Sequence, residues 1–248
     1  TLVATLLELT LLLVHGRVGL GVPSTPSWVS VRALCRIGAP MCATWGLDSL
    51  TYAIIATWLI NLDPAHLVAH VVGLRIICLS FLPGLAVAQA ASVLVGHGVG
   101  AGDKVKAREA WRAAMVLALG VMGGFAITFV AFPEVFIRPF GVTPEVGGVV
   151  RQLLRIAAVF QLFDAVAVTT HFALNGAGDT RATMGITIGA TWLVKMPAAY
   201  LLVVVYGLGA PGAWVGVTLE ILTTAGLGLW RVSGSQWLEH PVPTPGQT

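Results

Sequence analysis

Long apolar stretches separated by short polar turns dominate the sequence. A membrane helix needs about 20 mostly apolar residues, and six stretches approach or exceed that length. They cover residues 37–60, 67–95, 112–132, 150–174, 183–205 and 212–230. A partial stretch at 1–15 precedes them. The pattern predicts an all-α membrane protein in which six spanning helices pair into three hairpins, preceded by the end of another transmembrane helix.

The connections between these stretches divide the chain into four regions. Residues 1–22 are predicted to hold the end of the preceding transmembrane helix and the start of a cytoplasmic linker, and residues 23–36 the rest of that linker. The six helices occupy 37–232. Residues 233–248 are polar and Pro-rich, which predicts a disordered cytoplasmic tail.

The composition agrees with a protein surrounded by lipid. Of the 248 residues, 56% are hydrophobic and 10% charged, whereas soluble domains carry about 25% charged residues. Too few charges are present to cover a water-exposed surface. The net charge of +3 is small, and we expect a lipid bilayer as a partner but no nucleic acid.

Lys and Arg concentrate in alternate connections, which predicts the orientation. Basic residues lie in the connections around residues 17–36, 104–112 and 181, and after the last helix at 231, whereas the connections 61–66 and 207–212 carry none. The basic side of a membrane protein faces the cytoplasm. We therefore predict a multi-pass protein of the cell (inner) membrane with its linker and tail inside.

Ionisable residues near the centres of predicted membrane helices need a reason, because each costs at least about 2.5–3.5 kcal/mol to insert. Two polar stripes with helical spacing contain such residues. One comprises Thr44, Asp48, Thr51 and Tyr52, and the other Gln161, Asp164, His171 and Asn175. If the stripes face each other, their two carboxyl groups share one hydrated cavity and can load a proton or ligate Na⁺.

Structural ion pairs are the competing interpretation of these charges. Lys195 and Glu220 lie level across one helical hairpin, and we expect them to form a structural ion pair. Asp48 and Arg75 lie level across another hairpin, so pairing and function both stay open for Asp48. Asp164 has no basic residue nearby in sequence, which favours a functional role.

Three motifs resemble catalytic or cofactor sites but lack the required context. The Gly-rich run 96–102 follows a membrane helix rather than a β-strand, so it does not predict a dinucleotide site. His66 and His70 lack the adjoining Glu of a zinc protease and are interpreted as interfacial residues. The sequence therefore predicts no metal site and no cofactor.

The motif Gly-Ala-Gly-Asp occurs twice, at 100–103 and 176–179. Both copies match the GxGD signature of intramembrane aspartyl proteases, but they lie at helix ends, and no Tyr-Asp partner motif exists in the chain. We interpret them as Gly-rich C-caps of helices. The sequence predicts that the protein is not an enzyme, and no catalytic residue is assigned.

A series of short motifs, in order and at consistent spacing over about residues 30–231, resembles MATE (multidrug and toxic compound extrusion) transporters. The segments that carry the resemblance are Gly38-Ala39-Pro40 with Asp48, Leu67–His70, Pro83–Ala86, Val95–Gly102, Phe160–Ala165, Leu174–Arg181, Trp192, Met196–Tyr200 and Gly212–Trp214. That family has twelve helices in two six-helix lobes. The resemblance implies that this chain is the C-terminal lobe, helices seven to twelve, preceded by the end of helix six, with the N-terminal lobe of the same transporter as its partner.

The resemblance also implies an activity and a site. It implies a cation-coupled (H⁺ or Na⁺) antiporter that exports amphipathic, often cationic drugs or toxins by alternating access. In one branch of the family, acids of helices seven and ten form the coupling-ion site, and Asp48 and Asp164 hold those positions here. The substrate cavity is then expected to be lined by Thr44, Tyr52, Gln161 and His171.

Two departures from the family pattern bear on the coupling ion. Asp48 stands where Glu is common, and Phe160 stands where some members carry Tyr. Both favour H⁺ over Na⁺. The main alternative is a lipid-linked saccharide flippase of the wider superfamily, which needs a more cationic cavity, and only Lys195 and Arg75 could supply that charge. A non-transporting half-protein that pairs with a separate N-terminal lobe is a further alternative.

Overall fold

A computed structural model describes residues 28–238, and every regular element within that range is helical. Six long helices follow one another: α1 (Trp28–Leu62), α2 (Pro64–Gly100), α3 (Lys104–Ala131), α4 (Pro144–Gly176), α5 (Thr180–Val205) and α6 (Gly209–Ser233). A short helix, Pro133–Ile137, and a 3-10 turn, Arg138–Phe140, connect α3 to α4. The chain divides after Ala39 into two units, and the packing and the site below belong to the unit that begins at Pro40.

The lengths and compositions of these helices suit a bilayer. Helices α2 to α6 are each long and apolar enough to cross a membrane, and α1, with 35 residues, extends about 52 Å. Large apolar side chains cover the outside of the described lobe, and Val116 and Leu193 are 73% and 78% exposed. The predicted all-α membrane fold is confirmed.

Local capping signals set where α2 and α4 begin. Asp63 precedes α2, and its Oδ1 accepts a hydrogen bond from the Ala65 amide at 2.8 Å. Thr143 precedes α4, and its Oγ1 accepts one from the Val146 amide at 3.4 Å. In both cases Pro is the first helical residue, a position where its missing N–H costs nothing.

The two Gly-Ala-Gly-Asp copies end α2 and α4 in the same way. Gly102 and Gly178 adopt positive φ values of 72° and 87°. The following Asp amides donate back to the carbonyl oxygens of Gly98 and Leu174, each at 2.9 Å. This is the Schellman arrangement, in which Gly is favoured because other residues resist a left-handed backbone. Their interpretation as helix C-caps is confirmed.

Asp103 also starts the next helix, and this gives a pH-dependent prediction. Its Oδ1 accepts from the Lys106 amide at 3.0 Å, and this hydrogen bond lowers the pKa of Asp103 below the ordinary 3.8. Because the pKa is lower in the folded state than in the unfolded state, the ionised carboxylate stabilises the fold above pH 3.8. This stabilisation is lost as the pH falls through the pKa of the folded state. We expect Asp103→Asn to unfold at a lower temperature than the wild type at pH 6, with the difference closing on acidification.

Thermal unfolding in detergent between pH 6 and pH 3 checks this expectation. The matched control is Glu109→Gln on the exposed face of the same helix, which removes a charge away from the N-cap position. A difference between Asp103→Asn and wild type that stays constant with pH would contradict it.

Several predicted boundaries differ from the structure. Helix α3 begins at Lys104 rather than 112, and α4 at Pro144 rather than 150. Helix α1 begins at Trp28 rather than 37, because no Gly or Pro interrupts residues 28–37 and the helix extends into the predicted linker. The predicted tail is ordered at its start: Gln236–Leu238 forms a 3-10 turn. Trp237 is fully buried, and its Nε1 donates to the Val232 carbonyl oxygen at 3.0 Å. Residues 1–27 and 239–248 lie outside the described residues, and they include all of the predicted first region, the start of the predicted linker and the end of the tail.

Helix α4 is central to the packing, since it contacts α2, α3 and α6. Its last residue, Gly176, lies directly against α2, where a Cβ at Gly176 would be 2.1 Å from the Ser92 carbonyl oxygen. Small residues allow such close approaches between membrane helices. The approach at Gly176 therefore fixes how α2 and α4 cross.

Helix α5 departs from regular α geometry on both sides of a proline. Its segments Ala190–Lys195 and Leu201–Val205 are π-helical and flank Met196–Tyr200, which contains Pro197. Proline has no N–H to donate to the preceding turn, and π-turns are one way in which a helix accommodates such an interruption. Lys195 lies at the end of the first π segment and is fully buried.

Candidate functional site

A cavity of about 450 Å³ opens among the helices of the lobe. Side chains from α1, α2, α4 and α6 form most of its wall, with Thr187 from α5. All six residues predicted for the coupling and substrate sites line it: Thr44, Asp48, Tyr52, Gln161, Asp164 and His171. Six of the eight stripe residues therefore face one space, as the expected arrangement requires, whereas Thr51 and Asn175 are not among the residues that line it.

A buried ammonium group joins two of the acids behind this wall. Lys195 Nζ lies 2.5 Å from Asp48 Oδ1 and 3.0 Å from Glu220 Oε2. The Lys195 side chain is 0% exposed, against 30% for Asp48 and 11% for Glu220. The lysine is therefore shared between the two carboxylates, and we call these three residues the ion trio.

The ion trio only partly matches the predicted pairing. The expected contact between Lys195 and Glu220 is present, but Lys195 also binds Asp48, which the sequence argument did not predict. Arg75 is exposed, and within residues 28–238 Asp48 pairs with Lys195 rather than with Arg75. Helices α1 and α5 are not adjacent in sequence, but they meet in space through Lys195 and Asp48.

Neighbouring groups enclose the ion trio. Lys195 Nζ lies 4.8 Å from the centroid of the Tyr52 ring, a distance at which a cation is attracted to the aromatic face. Thr191 Oγ1 donates to Glu220 Oε1 at 2.5 Å. Buried charges need such compensation because their desolvation is costly. The ammonium thus has a carboxylate on two sides and an aromatic ring on a third.

Asp164 differs from the other two acids. Its side chain is half-buried in the cavity wall, and within the described range no hydrogen bond or salt bridge engages its carboxylate. The nearby polar residues of α4 are occupied: Gln161 donates to Ser80 Oγ, and His171 Nδ1 lies 3.4 Å from Thr187 Oγ1. Asp164 is therefore the cavity acid whose oxygens are open to a bound ion or substrate.

Sequence reasoning missed part of the wall. His70 was interpreted as interfacial, but it is 2% exposed and accepts a hydrogen bond at Nδ1 from Trp214 Nε1 at 3.0 Å. His70, Leu74, Ile77 and Phe81 all line the cavity, and their helical spacing along α2 could have revealed this face. Glu220, assigned only a structural role, lines the cavity as well.

The wall combines negative charge with apolar and aromatic surface. Asp48, Asp164 and Glu220 line the cavity, and no Lys or Arg does so within the described part of the chain. When Asp48, Asp164 and Glu220 are ionised, the single positive charge of Lys195 leaves these four side chains with a net charge of −2. Such a cavity suits a cation, and its aromatic residues suit an apolar body.

An all-helical membrane lobe that encloses an acidic cavity near the middle of its helices has the architecture of a transporter domain. The comparison with protein families agrees: the MatE family profile matches residues 40–201. The chain belongs to the MatE family, as the resemblance to MATE transporters implied. Members of this family are transporters, not enzymes.

Relatives and solved structures support this assignment. The chain is 35% identical over 222 residues to a probable multidrug resistance protein NorM of Deinococcus radiodurans, covering 88% of this chain and 49% of that protein. It is 29% identical over 219 residues to a probable NorM of Thermotoga maritima, covering 88% and 47%. The chain spans about half the length of the curated relatives it matches.

The fold matches solved transporters. A crystal structure of MATE in the straight conformation aligns with a TM-score of 0.82 and 21% identity, covering 96% of this chain and 55% of that one. A eukaryotic MATE transporter aligns with a TM-score of 0.80 and 23% identity, covering 94% and 54%. At these identities the structures show a shared fold.

Proposed function

We propose that this chain forms the C-terminal lobe of a cation-coupled exporter of amphipathic, often cationic drugs or toxins in the cell (inner) membrane. Its partners are the bilayer and the N-terminal lobe of the same transporter. The observation that carries the proposal is Asp164, a carboxylate in a membrane cavity with no hydrogen-bond or ion-pair partner in residues 28–238. Placing an acid at that depth in a membrane is energetically costly, so its presence there indicates a function.

Competition for Asp164 couples the drug to the driving ion. A cationic drug is attracted to the open carboxylate, and H⁺ or Na⁺ arriving at Asp164 removes that attraction. The drug and the coupling cation therefore weaken each other's binding, and this reciprocity is required by thermodynamic linkage. Asp48 contributes to the same negative field while it holds Lys195. Cation loading is proposed to repack α1 and α2, which carry Asp48 and Pro83, and to release the drug.

The polarity of the cavity favours this proposal over a saccharide flippase. A lipid-linked saccharide carries a pyrophosphate, which needs several cationic donors. In the described residues the wall presents acids instead, and Lys195 is enclosed by two of them. The aromatic lining, including Trp45, Phe81 and Phe172, suits the apolar part of a drug.

Drug efflux by the full-length protein with and without Asp164→Asn tests the proposal. Asparagine keeps the shape of the side chain but cannot carry the charge. We expect ion-driven efflux of a fluorescent cationic dye to fall about tenfold or more, since each 1.4 kcal/mol of lost binding is a tenfold change. Glu145→Gln, at an exposed position in the first turn of the same helix, is the matched control.

Proteoliposomes with imposed H⁺ or Na⁺ gradients, collapsed separately, measure this dye transport and identify the driving ion. Efflux at the wild-type rate in Asp164→Asn would contradict the coupling role. Dye movement unaffected by collapse of both gradients would contradict antiport itself.

A further inference from the structure

Lys195 has no task in the coupling step proposed above, yet its ammonium is fully buried and bound by two acids. Burying an ammonium group at this depth costs several kcal/mol unless the group is paired. The position of Lys195 therefore needs an explanation. We propose that Lys195 is a tethered cation that occupies the place of a free cation between Asp48 and Glu220 and so makes H⁺ the coupling ion of this transporter. This inference rests on the proposed function, because it specifies the ion that drives the same cavity.

The groups around Lys195 Nζ are those that hold a small hard cation. Asp48 and Glu220 supply carboxylate oxygens at 2.5 Å and 3.0 Å. Thr191 Oγ1 donates to the other oxygen of Glu220, Oε1, and so helps to orient that carboxylate. Hard cations prefer carboxylate, carbonyl and hydroxyl oxygens. Without the ammonium, the two carboxylates would face an empty position with two negative charges.

The lysine and a free ion cannot occupy this position together. An ammonium is a compact point charge with three donors, and here it touches both acids. Because it is covalently attached, it is present at a high effective concentration, so a dissolved ion competes poorly with it. Na⁺ would also have to displace an ammonium that gains from the face of Tyr52 at 4.8 Å.

The backbone of α5 holds the ammonium in place. Lys195 ends the π-helical segment Ala190–Lys195, two residues before Pro197. A π-turn changes the direction in which the following side chains project, and such turns often occur at functional sites. The tethered cation is thus carried by a helix rather than by a loop. Asp164 has no partner within 28–238, but Gln161 and His171 beside it are bonded to Ser80 and Thr187. Na⁺ needs several oxygen ligands, so Asp164 is left as an acid that loads a proton.

The binding test uses thermal unfolding of the full-length protein in detergent, with NaCl compared against choline chloride at equal concentration. We expect the wild type to show no shift specific to Na⁺. Lys195→Met vacates the position, and we expect its unfolding midpoint to rise by about 1–3 °C when Na⁺ is tenfold above its Kd. Lys106→Met, whose side chain is 78% exposed, is the control and should not respond.

If Lys195→Met does not accumulate, Lys195→Met/Glu220→Gln replaces it, because it restores the net charge of the ion trio and keeps the Asp48 carboxylate. A shift specific to Na⁺ in either variant, absent from the wild type, supports the inference. A shift specific to Na⁺ in the wild type, or none in the variant that accumulates, overturns it.

Transport in proteoliposomes separates this inference from the proposed function. We expect wild-type dye transport driven by a pH gradient at the same rate in choline and in Na⁺ buffers, and none driven by a Na⁺ gradient alone. Transport that requires Na⁺ overturns the inference but leaves antiport intact. Absence of dye transport under every gradient overturns the proposed function, while the thermal measurement still tests Lys195 as a tethered cation.

Discussion

In Na⁺-free buffer, Lys195→Met is expected to lower the free energy of unfolding by about 3–5 kcal/mol, the usual cost of removing one partner from a buried ion pair. The substitution leaves the Asp48 and Glu220 carboxylates close together without the ammonium that lies between them. Denaturant unfolding in detergent, followed by tryptophan fluorescence, measures the loss. Lys106→Met should change stability by no more than about 0.5 kcal/mol, as for ordinary surface positions.

A double-mutant cycle separates the charge effect from the loss of packing. Glu220→Gln in the Lys195→Met background removes one of the stranded charges and should recover part of the stability, so that the two substitutions are not additive. Full additivity, or a Lys195→Met protein as stable as the wild type without Na⁺, would show that the lysine is not paired as the structure indicates.

Gly176→Ala is expected to destabilise the lobe by about 1–3 kcal/mol or more, the range for overpacking a tight contact. The added Cβ would lie 2.1 Å from the Ser92 carbonyl oxygen and 2.8 Å from the Ser92 Cα. Both atoms belong to the backbone, so no side chain can rotate away, and α2 and α4 must separate. Thermal unfolding of the purified protein measures the effect.

Gly124→Ala provides the matched control, because a Cβ there meets no atom within 4 Å. In the middle of α3 that substitution should be neutral or stabilising by up to about 1 kcal/mol, the difference in helix propensity. Equal effects at Gly124 and Gly176 would mean that the close approach to Ser92 does not limit the packing.

Hydropathy was sufficient to locate the helices, since bilayer thickness imposes a length that the sequence displays directly. Polar residues within those stretches also identified the cavity, because an acid such as Asp48 or Asp164 is seldom kept inside a membrane helix without a functional role. The resemblance to MATE transporters added the order of the helices. What these signals share is that each can be recognised within a single segment.

The contacts that sequence reasoning missed depend on segments far apart in the chain. Lys195 and Asp48 are separated by 147 positions, and the hairpin argument considered only adjacent helices. Trp237 was missed because its polar and Pro-rich surroundings outweighed one aromatic residue. The π-turns beside Pro197 were missed because a proline signals an interruption without specifying how the helix accommodates it.

The packing of Trp237 has a practical consequence for anyone who fuses a reporter to this protein. The indole packs in one cluster with Val95 of α2 and Leu174 of α4, so the C-terminal turn covers this cluster. A fluorescent fusion joined after Ser233 would remove the turn and expose the cluster, even though the last long helix would be intact. The junction belongs beyond Leu238.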